Sequence, residues 1–227
     1  MNYTAIITDI EGTTSRISFV TEVLFPYAAK HLPAFIRAQQ QDPAVATELH
    51  EVRKLLGEPA ADTERCIAQL LNWLAADQKV TPLKTLQGMV WADGYQSGAF
   101  TGHVYPDVAA KLADWHRQGI KLFVYSSGSV AAQQLLFKHS DFGDLTPLFT
   151  GYFDTRIGAK REVSAYAAIL QQLQMPPRQV LFLSDVTAEL DAACQLGIDT
   201  VQLIREGQSM GKHKTAHDFY QVQEVMP

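Results

Sequence analysis

Three short apolar runs, each stopping abruptly at a polar cluster, constrain the fold of this chain most. Tyr3-Thr4-Ala5-Ile6-Ile7-Thr8 gives way to Asp9-Ile10-Glu11-Gly12-Thr13-Thr14, and Lys121-Leu122-Phe123-Val124-Tyr125 empties into Ser126-Ser127-Gly128-Ser129. Val180-Leu181-Phe182-Leu183 ends at Ser184-Asp185. Short apolar runs bounded by turn residues read as buried strands. Helical stretches separate them: Pro106 to Gln118 closed by Gly119, then Val130 to Phe137, then the amphipathic Val163 to Leu173. Thr200-Val201-Gln202-Leu203-Ile204 supplies a further strand. Strands alternating with helices imply parallel pairing through right-handed crossovers, so the expected class is α/β, a doubly wound parallel sheet of Rossmann-like form.

Residues 18–98 break the alternation. Val45, Leu49, Val52 and Leu56 recur at helical spacing, Ile67, Leu70, Leu71 and Leu74 form a second stripe, and Pro43 and Pro82 stand near helix starts. Gly57-Glu58-Pro59 separates two of these helices. The expectation is a helical insertion inside a core made of residues 1–17 and 99–227. Placed directly after the first strand, such an insertion would stand over the strand ends as a cap, hinged near Ser15 to Ser18 and Gly94 to Gly102.

In open α/β sheets, ligands bind outside the carboxyl ends of the strands, where the polar clusters lie. Asp9 there can act as a nucleophile, with Glu11 as acid/base partner, although the Gly12 turn leaves the aim of Glu11 unfixed by strand alternation. A pair of solvated turn acids is the alternative. The hydroxyls and amides of Ser126 to Ser129, at the start of a helix, suit a phosphate; a plain turn with an N-cap is the competing reading. Asp185 can join Asp9 around a hard cation such as Mg2+, or simply favour its own helix N-terminus. Glu189 and Asp191 read as a solvated helix face. Lys160, in Gly158-Ala159-Lys160-Arg161-Glu162, offers fixed positive charge, against the ordinary expectation of a surface lysine. The order along the chain is nucleophile and acid, hydroxyl loop, lysine, carboxylate.

That order resembles the haloacid-dehalogenase-like phosphohydrolases, whose four motifs fall on Asp9 with Glu11, Ser126 or Ser127, Lys160, and Asp185. Within that superfamily the chain is most similar to the bifunctional enolase-phosphatases of methionine salvage. Asp-Ile-Glu-Gly-Thr-Thr stands in place of the usual Asp-x-Asp-Gly, Tyr125-Ser126-Ser127-Gly128-Ser129 forms the second motif, and Leu24-Phe25-Pro26-Tyr27 matches as well. The likeness runs from Thr8 to about Arg205; Arg205-Glu206-Gly207-Gln208 then departs from the Arg-Pro-Gly-Asn common in relatives.

The resemblance implies a Mg2+-dependent enzyme that enolises 2,3-diketo-5-methylthiopentyl 1-phosphate and then dephosphorylates it to an acireductone. Asp9 would form the aspartyl-phosphate, and Lys160, Ser126 and Ser127 would hold phosphate oxygens. Glu11 would act as acid then base. Asp9, Asp185 and the main-chain carbonyl of Glu11 would ligate the metal. The base for enolisation stays open between Glu11 and Glu22, and Phe25 and Tyr27 are either pocket-lining or buried aromatics. A dehalogenase needs neither Glu11 nor a metal-binding Asp185, and a phospho-receiver needs no large insertion, so both rank below phosphatase chemistry.

The remaining bounds are broad. In 227 residues, 47% hydrophobic with a formal charge of -5, no run of lysines or arginines offers a nucleic-acid or anionic-membrane surface. No stretch approaches a membrane span and no basic segment leads an apolar one, so a cytoplasmic, monomeric enzyme with a small-molecule phosphate ester as its partner is expected. Cys66 and Cys194 lie in apolar helical patterns and read as buried thiols. His213 and His217 have zinc-compatible spacing but no third ligand nearby.

Overall fold

A computed structural model describes residues 3–225. These form two compact units, one of residues up to Ile17 together with those from Thr101 onward, the other Ser18–Phe100.

The first unit is built on a six-stranded sheet, all of whose pairs are parallel. The strands are β1 (Ala5–Thr8), β2 (Lys121–Tyr125), β3 (Phe149–Phe153), β4 (Val180–Ser184), β5 (Asp199–Leu203) and β6 (Lys214–Ala216), in the order β3-β2-β1-β4-β5-β6. Neither β3 nor β6 is signalled by the sequence; β3 carries Gly151 at its centre and β6 has three residues. β1 and β4 are buried along their whole length, as expected of strands covered on both faces, which is why their sequences read as continuous apolar runs rather than as alternation.

Ala5, Ile7, Phe123, Tyr125, Val180 and Phe182 pack in one cluster with Tyr166 and Ile169 of α7 (Val163–Leu173) and Leu190 and Ala193 of α8 (Thr187–Cys194). Against β2 and α9 (Phe219–Val225) packs α5 (Pro106–Arg117), with the Trp115 and Phe219 ring centroids 5.4 Å apart. α6 (Val130–Lys138) follows β2 after the short loop Ser126 to Ser129.

The second unit holds α1 (Phe25–Gln39), α2 (Pro43–Leu56), α3 (Thr63–Ala75) and α4 (Thr81–Gln96), entered through a π-helical turn at Val20–Leu24. Leu32 and Ile36, Val45, Leu49 and Val52, Ile67, Leu70 and Leu74, and Leu83, Leu86 and Val90 converge as its core, so the helical spacing read in the sequence becomes one bundle interior. Asp42 caps α2 by accepting from the Ala44 amide (2.9 Å), and Asp62 caps α3 by accepting from Arg65 (2.8 Å). Such caps contribute about 1 kcal/mol each. Phe100 closes the unit, its ring edge-on to Tyr27 and Tyr95.

One cysteine departs from expectation. Cys66 is buried in α3, whereas Cys194, the last residue of α8, is exposed although Ala192 and Ala193 before it are buried.

Candidate active site

β1 lies at the centre of the sheet, flanked by β2 and β4. Thr8 is in register with Val124 on one side and Leu183 on the other, so Asp9, Ser126 and Asp185 emerge at one edge within a residue or two of each other on adjacent strands. Neighbouring strands are about 4.8 Å apart, which brings the three chain segments together before any side chain is considered. The reversal of strand order falls here too, where doubly wound sheets bind their ligands.

The loop after β1 is wound tightly. The Asp9 amide still donates to Leu183 (2.9 Å), and the amides of Thr13, Thr14 and Ser15 all turn back to the Ile10 carbonyl. Thr8 and Thr14 hydroxyls donate to the Asp9 carbonyl at 3.0 and 3.2 Å. Gly12 sits at φ 70°, and a Cβ built there would lie 2.6 Å from Cγ of Asp185. Only glycine permits both that backbone and that approach. Glu11, partly buried, forms a bridge with Ser15. From outside, Tyr105 donates its amide to Thr14 (3.0 Å) and Arg205 donates Nε to the Thr13 carbonyl (3.2 Å). Arg205 is itself held by Asp107 at 2.7 Å.

Lys160 is not a surface lysine. Its ammonium is buried between Asp9 Oδ1 at 2.6 Å and Glu189 Oε2 at 2.7 Å. Burial alone would lower its pKa, but the adjacent charges of Asp9 and Glu189 outweigh that and raise it, so the lysine stays charged. Two tyrosines fix the turn that presents it: Tyr166 donates to the Lys160 carbonyl (2.7 Å) and Tyr125 to the Gly158 carbonyl (3.0 Å). Gly158 lies at φ 145° against Ala165, with no room for a side chain.

Glu189 corrects the expectation of a solvated helix face. It is buried, accepts from Ser184 Oγ at 3.0 Å, and has its pKa pushed up to about 7, by burial first and by the Asp9 charge second. Asp191 does face outward and pairs with Lys212 and His213.

Asp185 is buried as well, its pKa pushed up to about 6 by burial and then by the charge of Asp9. Its Oδ2 accepts from Gln208 at 3.3 Å, while Oδ1 is buried with no hydrogen-bond partner among the described residues. A buried carboxylate oxygen without a donor is costly unless a cation completes it. Among the described residues no group of three His, Cys, Asp or Glu side chains is placed to hold a metal. A donor set of two carboxylates, the rest filled by main chain, water and substrate oxygens, fits Mg2+.

Ser126 is buried at the end of β2, its amide donating to Phe153 and its Oγ accepting from Gly128 at 3.3 Å; Ser127, next to it, is exposed. Ser129 caps α6. Sequence reasoning missed Asp154, which closes β3, accepts from the Val130 amide at 3.2 Å and is clamped by Arg156. Like Asp9 after β1 it directly follows a strand, but Gly151 at the centre of β3 hides that strand in the sequence.

Glu22 is exposed in the π-helical turn of the helical unit, and Tyr27 stacks on His31. Phe25, partly buried, packs on the core of that unit. His213 is held between Thr200 and Asp191, and His217 bonds the Ile204 carbonyl.

Comparison with known proteins matches this geometry. A family model described as haloacid dehalogenase-like hydrolase covers residues 3–197. The chain is 56% identical to an enolase-phosphatase E1 of Pseudomonas syringae pv. syringae, over 95% of each chain. It is 59% identical to the enolase-phosphatase E1 of Hahella chejuensis, over 88% of this chain and 86% of the relative. Among solved structures, the UTR4 protein of Saccharomyces cerevisiae superposes with a TM-score of 0.82 at 36% identity, covering 96% of this chain and 98% of that one. CbbY of Rhodobacter sphaeroides, at 16% identity and a TM-score of 0.62 over 97% and 96%, shares the fold. The chain thus belongs to the haloacid dehalogenase-like hydrolases and, within them, to the enolase-phosphatase E1 family.

Proposed function

We propose that this protein is the Mg2+-dependent enolase-phosphatase of methionine salvage, converting 2,3-diketo-5-methylthiopentyl 1-phosphate to 1,2-dihydroxy-3-keto-5-methylthiopentene and phosphate. The observation that carries the reading is the buried Asp9–Lys160–Glu189 arrangement at the strand ends, with the undonated Asp185 oxygen beside the same loop. Such a site suits displacement at phosphorus, in which charge neutralisation and positioning do most of the catalysis. A cytoplasmic, monomeric enzyme with a small phosphate ester as its partner belongs to the same reading.

Asp9 attacks phosphorus, the bond from phosphorus to the substrate C1 oxygen breaks, and Glu11 gives that oxygen its proton. Lys160, with the hydroxyls of Ser126 and Ser127, holds the phosphoryl oxygens. Glu11, now a carboxylate, takes a proton from the water that cleaves the aspartyl-phosphate, releasing phosphate and restoring Asp9. Asp9, Asp185 and the Glu11 main-chain carbonyl would hold Mg2+, which when bound supplies Lewis acidity for the phosphate and for the ketone that is enolised.

The decisive assay supplies the diketo phosphate and follows enediol absorbance together with released phosphate. Both should appear, and both should stop on magnesium chelation. Phosphate without the enediol would reduce the function to a general phosphatase. Glu11→Gln should slow phosphate release by on the order of 100- to 10,000-fold. Mg2+ binding, measured by calorimetry, should persist in that variant, since its main-chain carbonyl is unchanged; an unslowed variant would remove Glu11 from proton transfer.

A further inference from the structure

The Arg205-Glu206-Gly207-Gln208 segment touches both halves of the proposed cation site. Arg205 donates to the Thr13 carbonyl in the loop that carries Asp9, and three residues later Gln208 Nε2 donates to Asp185 Oδ2 at 3.3 Å. The Gln208 amide is not free to flip. Its Oε1 accepts from the Glu206 amide at 2.8 Å, so only Nε2 can face the carboxylate. A second glutamine fixes the same aspartate through its backbone. Gln202, buried on β5, donates Nε2 to the Asp185 carbonyl (3.2 Å) and to the Ser209 carbonyl (2.9 Å), while its Oε1 accepts from Gly211 (2.8 Å). The loop from Ser209 to Gly211 is thereby tied to the strand beside Asp185.

We propose that Gln208 is a positioning residue for the divalent cation: by occupying Oδ2 it fixes the plane of the Asp185 carboxylate and leaves Oδ1 as the single oxygen presented to the ion. The inference rests on the proposed Mg2+ site. Its physical ground is general: partners that hydrogen-bond a ligating carboxylate set its orientation, and losing one costs about 10- to 100-fold in metal affinity. A plain loop residue would do none of this. Gln208 is partly buried in an irregular segment and is not among the core residues, so removing its amide leaves the core of the unit untouched.

The test is calorimetric titration of Mg2+ into the wild type, Gln208→Leu, Gln208→Met and Asp185→Asn. Both Gln208 variants should raise the Kd for Mg2+ by about 10- to 100-fold. Their kcat at saturating Mg2+ should stay within about threefold of wild type, so that the loss appears in the metal requirement rather than in turnover. Their melting temperatures in chelator should match wild type. Unchanged Mg2+ affinity in both variants, with Asp185→Asn impaired, overturns the role of Gln208 alone. Lost affinity accompanied by an equal loss of thermal stability in chelator also overturns it. Unchanged affinity in Asp185→Asn overturns the cation site and this proposal together.

Discussion

Asp9→Asn should abolish phosphate release, with kcat falling by on the order of 10,000-fold or more, the scale seen when a nucleophile is removed from a set of groups acting together. The amide keeps the shape of the carboxylate but neither attacks phosphorus nor carries the charge that faces Lys160 at 2.6 Å. The fold should survive, because Lys160 keeps its contact with Glu189 at 2.7 Å and the Asp9 main-chain bonds to Leu183, Thr8 and Thr14 do not involve the side chain. Phosphate release and circular dichroism together decide the matter. A folded variant that still turns over would eliminate Asp9 as the nucleophile.

Lys160→Met should damage both activity and stability. The lysine, 9% exposed, separates two carboxylates that are 6% and 9% exposed, and without it they are left buried and facing one another. Breaking a buried pair by removing one partner costs about 3–5 kcal/mol. In a chain of this length that corresponds to a drop of roughly 6–20 °C in melting temperature. The deficit should depend on pH, and its sign follows from Glu189, whose pKa is already raised to about 7 in the presence of the lysine. A carboxyl group with a raised folded pKa holds its proton more tightly when folded. Its favourable contribution is therefore present at low pH and is lost as pH rises from its unfolded value through the folded one. Without Lys160 the folded pKa climbs further, so the gap from wild type should be wider at pH 8 than at pH 5.5. Lys160 itself, with a raised pKa, gives its full stabilisation below its ordinary value near 10.5 and loses it only above. Equal deficits at the two pH values would show that the ion pairs are not what the substitution removes.

The residues that sequence reading put forward for this candidate site share a local signature. Asp9, Ser126 and Asp185 each follow an apolar strand, and periodicity locates strand ends well when both faces of the strand are covered. The helical insertion was legible for the same reason, since Val45, Leu49 and Val52 keep one face over a whole helix. What escaped depends on contacts between distant segments. Glu189 resembles any acid in the first turn of a helix; its burial follows from Lys160, 29 residues earlier, reaching it across the sheet edge. β3 and β6 are defined by pairing to a neighbour rather than by their own composition, and Asp154 went unnoticed with β3. Cys194 illustrates the opposite error, an apolar pattern extended onto the last residue of a helix whose cover ends at Ala193.

The central position of β1 also has a bearing on biosynthesis. Ala5–Thr8 leaves the ribosome before either of its partners, Lys121–Tyr125 and Val180–Ser184. The helical unit, built from contacts close in sequence, is complete by Phe100. Local contacts form fast and distant parallel pairing forms slowly. A nascent chain should therefore carry a finished helical bundle while the segment bearing the nucleophile still waits, hydrophobic and unpaired, for Lys121–Tyr125 and then Val180–Ser184 to be made. That interval is where misassembly would begin and where a chaperone would have most to protect.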